Sequence, residues 1–81
     1  MLKKIHIQYF ALLREERGQD FETMDTSAIT PSDLYRELQL QHDFNFPPEA
    51  LKVAINDEFQ DWQTPLKDND IVVFLPPVAG G

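Results

Sequence analysis

The apolar stretch IVVFL, Ile71 to Leu75, decides the fold of this chain. All five positions carry apolar side chains, whereas a strand with one face in water alternates apolar and polar residues. We therefore expect this stretch to be the central strand of a sheet, with both of its faces covered. Two prolines follow it directly, and because proline cannot donate a ladder hydrogen bond, the sheet is expected to end there.

Three stretches upstream alternate apolar and polar residues with the period of two that is typical of half-buried strands. They are residues 3–10, 20–25 and 51–56, and the first ends with Phe10 out of phase, on the polar side. Asn56-Asp57 is a turn pair that tolerates positive φ, and the short piece 58–63 after it is expected to form an edge strand. The sequence therefore predicts four or five strands.

A helix of about three turns is predicted to begin after Thr30. Thr30 can cap it, Pro31 suits the first helical position, and Asp33 places a negative charge near the positive end of the helix dipole. Ile29 is expected to pack on Leu34 as a hydrophobic staple. The face at helical spacing that is expected to enter the core carries Leu34, Tyr35 and Leu38.

The order of these elements predicts a compact α+β domain of two layers, with the helix on one face of a mixed sheet. A short helical turn that ends at Gly18 is expected between the first two strands. Phe44 and Phe46 are expected to close one end of the core. We expect the domain to occupy residues 1–77 and a flexible C-terminal Gly-Gly tail to occupy residues 78–81.

The composition argues against several classes of function. The 81 residues carry a net charge of −7, which disfavours nucleic acid as a ligand and favours a basic partner, because contacts from lysine and arginine to phosphate supply most of the affinity for nucleic acid. There is no cysteine, so disulfides, thiolate metal sites and thiol nucleophiles are excluded. No apolar run approaches the roughly 20 residues that span a bilayer, and the N-terminal segment lacks the apolar region of a signal peptide. We therefore expect a cytoplasmic protein.

The ionisable residues do not form a convincing active site in the sequence. His6 could act in acid–base chemistry, but a lone histidine on the polar face of a strand is more often solvated or packed. The charged run 14–22, REERGQDFE, could dock a partner, although such runs usually form solvated turns with weak ion pairs. Asp57, Glu58 and Asp61 lack the spacing of a calcium-binding loop. We expect neither a metal site nor a bound cofactor.

Three apolar residues are candidates for a partner-binding surface. Phe10 is out of phase in the first strand, Leu75 ends the last strand, and Phe59 lies on the predicted edge strand. Phe59 and its neighbour Trp62 would be core residues in most small domains, but if exposed they would mark an interaction site, since monomers rarely display a large apolar patch without using it.

The chain ends in FLPPVAGG, and this ending suggests what the protein delivers. After the stiff proline pair, the last four residues diminish in bulk and span at most about 14 Å, and glycines can pass a channel too narrow for any side chain. The group at the far end is the α-carboxylate, which an adenylyl group from ATP would activate toward a sulfur or nitrogen nucleophile. A merely frayed terminus is the alternative. The segment after the last strand consists of Pro76, Pro77, Val78, Ala79, Gly80 and Gly81.

These residues resemble the small subunit of molybdopterin synthase, a ubiquitin-like sulfur carrier. The resemblance covers nearly the whole chain and rests on FALLRE at 10–15, VAIN at 53–56, PLKDND at 65–70 and, above all, FLPPVAGG at 74–81. A bare Gly-Gly end is shared by many ubiquitin-like proteins, but the full ending is specific. The resemblance implies the β-grasp fold, a mixed sheet of four to five strands with one main helix packed on one face.

The resemblance also implies a chemistry and two partners. Gly81, with Gly80 beside it, would be adenylated by a ubiquitin-activating-type adenylyltransferase that uses ATP, and would then be converted to a thiocarboxylate. The tail would next enter the large subunit of a heterotetrameric synthase, where Gly81 donates sulfur to a precursor pterin to form the dithiolene that binds molybdenum. The chain would thus be a sulfur-donating subunit that is not catalytic alone.

The residues that the resemblance assigns to partner binding are the three apolar candidates Phe10, Phe59 and Leu75, and the tail segment 76–79. Two positions depart from the family pattern. Asn69 stands where glycine is frequent, and it tolerates the left-handed turn; Ala79 stands where a small hydroxyl residue is common, which puts a hydrogen bond from that position in doubt. Three alternatives stay open: a sulfur carrier for thiazole or another thiolated product, a modifier conjugated to lysines, and a pure interaction domain.

Overall fold

The computed structural model of the protein describes residues 2–76. Each predicted strand and helix is confirmed in this range, although the first strand ends at Tyr9, one residue before Phe10. A 3₁₀ turn, Pro48–Ala50, precedes the third strand. The elements are β1 (Lys3–Tyr9), α1 (Ala11–Arg17), β2 (Phe21–Thr26), α2 (Pro31–His42), β3 (Lys52–Ile55), β4 (Glu58–Gln60) and β5 (Ile71–Leu75).

The five strands form one mixed sheet in the order β2-β1-β5-β3-β4. β1 and β5 pair in parallel, with Ile7 beside Val72, while the other three pairings are antiparallel. β5 is therefore the central strand, as its apolar sequence predicts. With α2 packed on one face of this sheet, the arrangement is the ubiquitin-like β-grasp, and the predicted fold class is confirmed.

Local sequence sets the start of α2 and the end of α1. Thr30 Oγ1 accepts a hydrogen bond of 3.3 Å from the N–H of Asp33, and Pro31 is the first residue of α2, where its missing N–H costs nothing. α1 ends at Gly18, whose φ of 85° is left-handed and suits a residue without a Cβ. The predicted staple is wrong, because Leu34 is fully buried while Ile29 is 65% exposed.

The core lies between α2 and one face of the sheet. Tyr35 of α2 packs on Phe74 of β5 and on Phe44, with ring centroids 5.2 and 6.1 Å apart. Phe44 is buried and Phe46 is partly buried against the same cluster, so both close one end of the core as predicted. The fully buried aliphatic side chains include Ile5, Ile7, Leu13, Leu34, Leu38 and Val72.

The opposite face of the sheet, which we call the open face, is covered by no second layer within residues 2–76. Ile71 of β5 is 42% exposed there, so the prediction that both faces of β5 are covered is wrong. Val73, on the same face, is only 8% exposed, and the registers place it between Gln8 of β1 and Ala54 of β3. The strands on either side of β5 therefore bury part of its open-face apolar surface, and no second layer is needed for this.

Candidate functional site

One row of side chains crosses the open face from one edge of the sheet to the other. Residues in register share a face, and the row, taken from β2 to β4, consists of Phe21, Gln8, Val73, Ala54 and Phe59. Its two ends are exposed aromatic side chains, Phe21 at 50% and Phe59 at 71%. Four strand spacings of about 4.8 Å put the ends roughly 19 Å apart.

Phe10 and Leu75 lie beside each other where β5 ends. The parallel register pairs Tyr9 with Phe74, so the next residue of each chain segment follows side by side. Tyr9 and Phe74 point into the core, and because the backbone at Phe10 is extended, at φ −127° and ψ 153°, alternation turns Phe10 and Leu75 to the open face. Phe59 lies on the same face, so the structure places all three predicted docking residues, Phe10, Phe59 and Leu75, on one surface.

A groove of about 340 Å³ lies beside Phe59. Trp62, which contributes to this groove, is partly buried and stacks on Phe74 with ring centroids 5.8 Å apart. The two neighbouring aromatic side chains therefore differ in burial, since Trp62 packs on the core while Phe59 is exposed. The groove is lined by Leu51, Lys52, Val53, Phe59, Gln60 and Trp62.

The tail follows directly from the central strand. Pro76, the last described residue, is half-buried immediately after β5. Leu75 and Phe10 lie next to Pro76, where the tail begins. A partner protein that binds the start of the tail therefore also contacts the open face. The remaining residues of the predicted site, Pro77, Val78, Ala79, Gly80 and Gly81, lie outside the described residues, as does the predicted domain boundary.

Glu22 of β2 is the centre of a polar cluster at one end of the core. The Arg17 guanidinium donates to its carboxylate through Nε and Nη2, at 2.9 and 3.1 Å, and the Tyr9 hydroxyl donates at 2.5 Å. His42 Nε2 lies 4.0 Å from the same carboxylate and has no hydrogen-bond partner among the described residues. The expectation of weak pairing in the charged run is therefore wrong for Arg17, whose pair with Glu22 is bidentate and partly buried.

The cluster shifts the pKa values of its members. Burial raises the pKa of Glu22, but the hydrogen bonds from Arg17 and Tyr9, together with the nearby positive charge, outweigh burial and leave that pKa below its ordinary value. Burial and the bond to Glu22 raise the pKa of Tyr9 well above its ordinary value. The cluster thus holds a charged carboxylate against a neutral phenol.

His6 is packed on the surface of the sheet. Its Nδ1 lies 2.9 Å from Thr23 Oγ1, and its ring stacks on Phe21 with centroids 6.2 Å apart. Within residues 2–76, no group of three histidine, aspartate or glutamate side chains is arranged to hold a metal ion. None of the helices in the same part of the chain combines the length and the apolar character needed to cross a membrane.

The decisive comparison concerns the family. The model of the ThiS family matches residues 7–81. The chain belongs to the ThiS family. It is also 31% identical, over 80 residues, to the molybdopterin synthase sulfur carrier subunit of Escherichia coli (strain K12), an alignment that covers 95% of this chain and 99% of that protein. The resemblance predicted from the sequence is confirmed.

Solved structures agree with this assignment. The putative molybdopterin converting factor subunit 1 of Pyrococcus furiosus superposes on the ThiS-family chain with a TM-score of 0.77 at 27% identity, over 94% of this chain and 99% of that one. A chain of the protein–protein complex of subunits 1 and 2 of the molybdopterin-converting factor from Helicobacter pylori 26695 matches with a TM-score of 0.66 at 29% identity, over 96% of this chain and 99% of that one.

A third match bears on the fold alone. The small archaeal modifier protein 1 of Methanosarcina acetivorans has a TM-score of 0.80 at 23% identity, over 100% of this chain and 99% of that one. A putative molybdopterin converting factor subunit and a small archaeal modifier protein therefore share this backbone, and the fold of the ThiS-family chain does not by itself distinguish between their roles.

Sequence reasoning missed two exposed residues of the open face in this ThiS-family chain, Phe21 and Ile71. Phe21 was assigned to a strand, but nothing in its local pattern shows which face it occupies. Its register opposite Gln8, a polar residue in the alternating stretch 3–10, places it on the open face. Combining the hairpin register with the alternation of β1 would therefore have found Phe21.

Proposed function

We propose that this chain is the sulfur-carrier small subunit of a molybdopterin synthase, and that Gly81 carries the sulfur as a thiocarboxylate. The observation that carries the proposal is the relationship to the Escherichia coli sulfur carrier subunit, which extends over 99% of that protein. The ending FLPPVAGG supports it, because it presents a terminal carboxylate on a thin thread after two prolines.

The chemistry begins with activation of Gly81. Its carboxylate oxygen attacks the α-phosphorus of ATP on a ubiquitin-activating-type enzyme, and pyrophosphate leaves. Hydrosulfide, as the sulfur nucleophile, then attacks the acyl carbon and AMP leaves, which converts the acyl adenylate to a thiocarboxylate. Because the chain has no cysteine, the sulfur travels on the main-chain terminus and not on a side chain.

Transfer takes place in the large subunit, which supplies the catalytic groups. The thiocarboxylate sulfur displaces an oxygen substituent from a carbon of the precursor pterin, so that a carbon–sulfur bond forms as a carbon–oxygen bond breaks. Water then cleaves the bond between that sulfur and the Gly81 acyl carbon. Sulfur stays on the pterin, and the carboxylate of Gly81 is regenerated for another cycle. Dithiolene formation requires this cycle twice, once for each sulfur.

The open face supports this role, because it can dock partners while the tail is threaded into them. Phe10 and Leu75 lie at the base of the tail, and Phe59 extends the surface across β3 to β4. The complex of subunits 1 and 2 from Helicobacter pylori supports a second, larger synthase subunit as one partner. We expect the activating enzyme to use the same face at an earlier step, so the two partners exclude each other. The cytoplasmic location stays a prediction.

A truncated chain tests the role of the terminus. Deleting Gly81 should abolish sulfur transfer in a reconstituted synthase but leave the affinity for the large subunit within a few-fold of wild type, since the last residue of a tail contributes little to the core. Transfer by the truncated chain would overturn the proposal. Binding of the intact chain to a thiazole-forming enzyme in place of the large subunit would assign it to thiazole synthesis, and an isopeptide bond from Gly81 to lysine would assign it to protein modification.

A further inference from the structure

A second apolar patch lies on the open face, on the side opposite to Phe59. We call it the β2-side patch, and it consists of Phe21, His6 and Ile71. His6 stacks on Phe21 at a centroid distance of 6.2 Å and an interplanar angle of 20°, and the parallel register puts Ile71 directly beside His6. Phe21 and Ile71 are 50% and 42% exposed. An aromatic and an aliphatic side chain thus leave much of their apolar surface in water at one site.

The β2-side patch is continuous with the predicted docking residues. Val73 of β5 is separated from Phe21 only by Gln8, and it precedes Leu75 by two residues on the same face. Two strand spacings of about 4.8 Å and two residues of about 3.4 Å place Phe21 roughly 12 Å from Leu75. The distance is short compared with the size of a protein interface.

The area of a stable interface is large enough to include both the docking residues and the β2-side patch. An interface of standard size buries about 800 Å² on each partner, which corresponds to a disc of roughly 16 Å radius. A partner centred on Leu75, at the base of the tail, therefore extends past β1 to Phe21 unless its surface turns away. A footprint limited to Phe10, Leu75 and Phe59 would leave the β2 half of the sheet open.

Charge disfavours a second copy of this chain as the occupant. Exposed Asp20 directly precedes Phe21, exposed Asp25 lies near the other end of β2, and the whole chain carries a net charge of −7. Pairing two copies through this edge would bring like charges together, which is unfavourable in an interface. A partner with basic residues around an apolar contact is complementary to the same edge.

We propose that the large synthase subunit, while it holds the tail, also covers the β2-side patch, and that Phe21 is an anchor of this contact. The inference rests on the proposed function, because it takes the subunit that receives the tail as the occupant. It adds a specificity-determining contact about two strands away from the tail, on β2 at the edge of the sheet.

Binding of the purified large subunit of the same organism to three variants tests the inference. Phe21→Ala should weaken binding about tenfold, because aromatic side chains at the centre of an interface contribute a large share of the binding free energy. Phe21→Leu keeps an apolar side chain and should stay within about threefold of wild type. Leu40→Ala is the matched control, since Leu40 is 81% exposed on α2, which packs on the other face of the sheet, and it should not change the affinity.

The outcomes separate this inference from the proposed function. Wild-type affinity of Phe21→Ala, alongside weakened binding of Leu75→Asp, would overturn the role of the β2-side patch and leave the proposed function intact. Failure of the wild-type chain to bind the large subunit would overturn both. Self-association of the isolated chain that Phe21→Ala abolishes, measured by sedimentation equilibrium, would assign the patch to a second copy and also overturn the inference. Unfolding curves of each variant show whether a loss of affinity comes from a loss of fold.

Discussion

The hydroxyl group of Tyr9, at the end of β1, donates a 2.5 Å hydrogen bond to the carboxylate of Glu22 on β2. Tyr9 points into the core, and the next residue, Phe10, belongs to the docking surface. This bond therefore fixes the main chain next to Phe10. Arg17, from the last turn of α1, holds the same carboxylate. The cluster therefore joins the first hairpin and α1 just behind Phe10.

The charge of Glu22 should make stability depend on pH. Its pKa in the folded state lies below its ordinary value of 4.5, so its contribution is present above pH 4.5 and is lost as the pH falls through the lower folded-state pKa. Glu22→Gln should cost about 1–3 kcal/mol at pH 7, because it removes charge-assisted hydrogen bonds. Urea unfolding at a series of pH values should show this difference shrinking below pH 4.5.

Glu58→Gln serves as the control for that series, because Glu58 is an exposed carboxylate on β4. It should change the free energy of unfolding by less than about 0.5 kcal/mol at every pH. Equal effects of the two substitutions would contradict the stabilising role assigned to the cluster.

The two tyrosines of the chain should resist ionisation while the protein is folded. Burial raises the pKa of Tyr35 to about 12 and that of Tyr9 further above its ordinary value of 10.0. The stability that follows from these raised pKa values is fully present below pH 10 and is lost as the pH rises through the folded-state pKa. Phenolate absorbance should therefore appear only well above pH 10, together with unfolding. In denaturant both groups should titrate near pH 10, and a phenolate step near pH 10 in the folded protein would show that a tyrosine is not buried.

Asn69 offers a test of the left-handed turn before β5. Its φ is 70°, and its N–H donates to the carbonyl of Lys4 at 2.7 Å. Asn69→Ala should destabilise the domain by about 1 kcal/mol, because a Cβ without a local hydrogen bond disfavours this conformation. Asn69→Gly removes the same side chain but should change stability by less than about 0.5 kcal/mol. The difference between the denaturant midpoints of the two variants measures the cost of a Cβ at this left-handed φ. Equal midpoints would contradict that cost.

Phe59 should contribute to docking without contributing to the fold. Phe59→Asp places a charge in the expected core of an interface, from which charged residues are depleted, and it should weaken binding to the large subunit at least tenfold by calorimetry. Leu40→Asp is the matched control, because both side chains are more than 70% exposed but lie on opposite sides of the sheet. Comparable losses from the two variants would mean that the effect is not specific to the open face.

Local rules predicted most of the elements. Thr30 and Pro31 define the start of α2, Gly18 ends α1, and the apolar run 71–75 is the central strand. These features depend on backbone conformation and on alternation, which short segments encode. The parallel pairing of β1 with β5 joins segments more than sixty residues apart, and the sequence indicated it only through the family resemblance.

Only part of the candidate site could be predicted, because short segments encode local patterns but not the pairing of distant strands. Phe10 and Leu75 stand out because each breaks or ends a local pattern, whereas Phe21 becomes part of the site only through its register with Gln8. The apolar character of β5 suggested a second covering layer, but lateral neighbours bury Val73 without one. Burial by neighbouring strands depends on sheet order, which a single segment does not contain.

Intact-mass spectrometry tests the central claim, that Gly81 carries sulfur. The chain is isolated from cells that hold its own activating system, and fragmentation then locates any change of mass. We predict a population heavier than the unmodified chain by the difference between one sulfur and one oxygen atom, with the change confined to Gly81. An unmodified mass, even after incubation with ATP, a sulfur donor and the activating enzyme, would contradict the account.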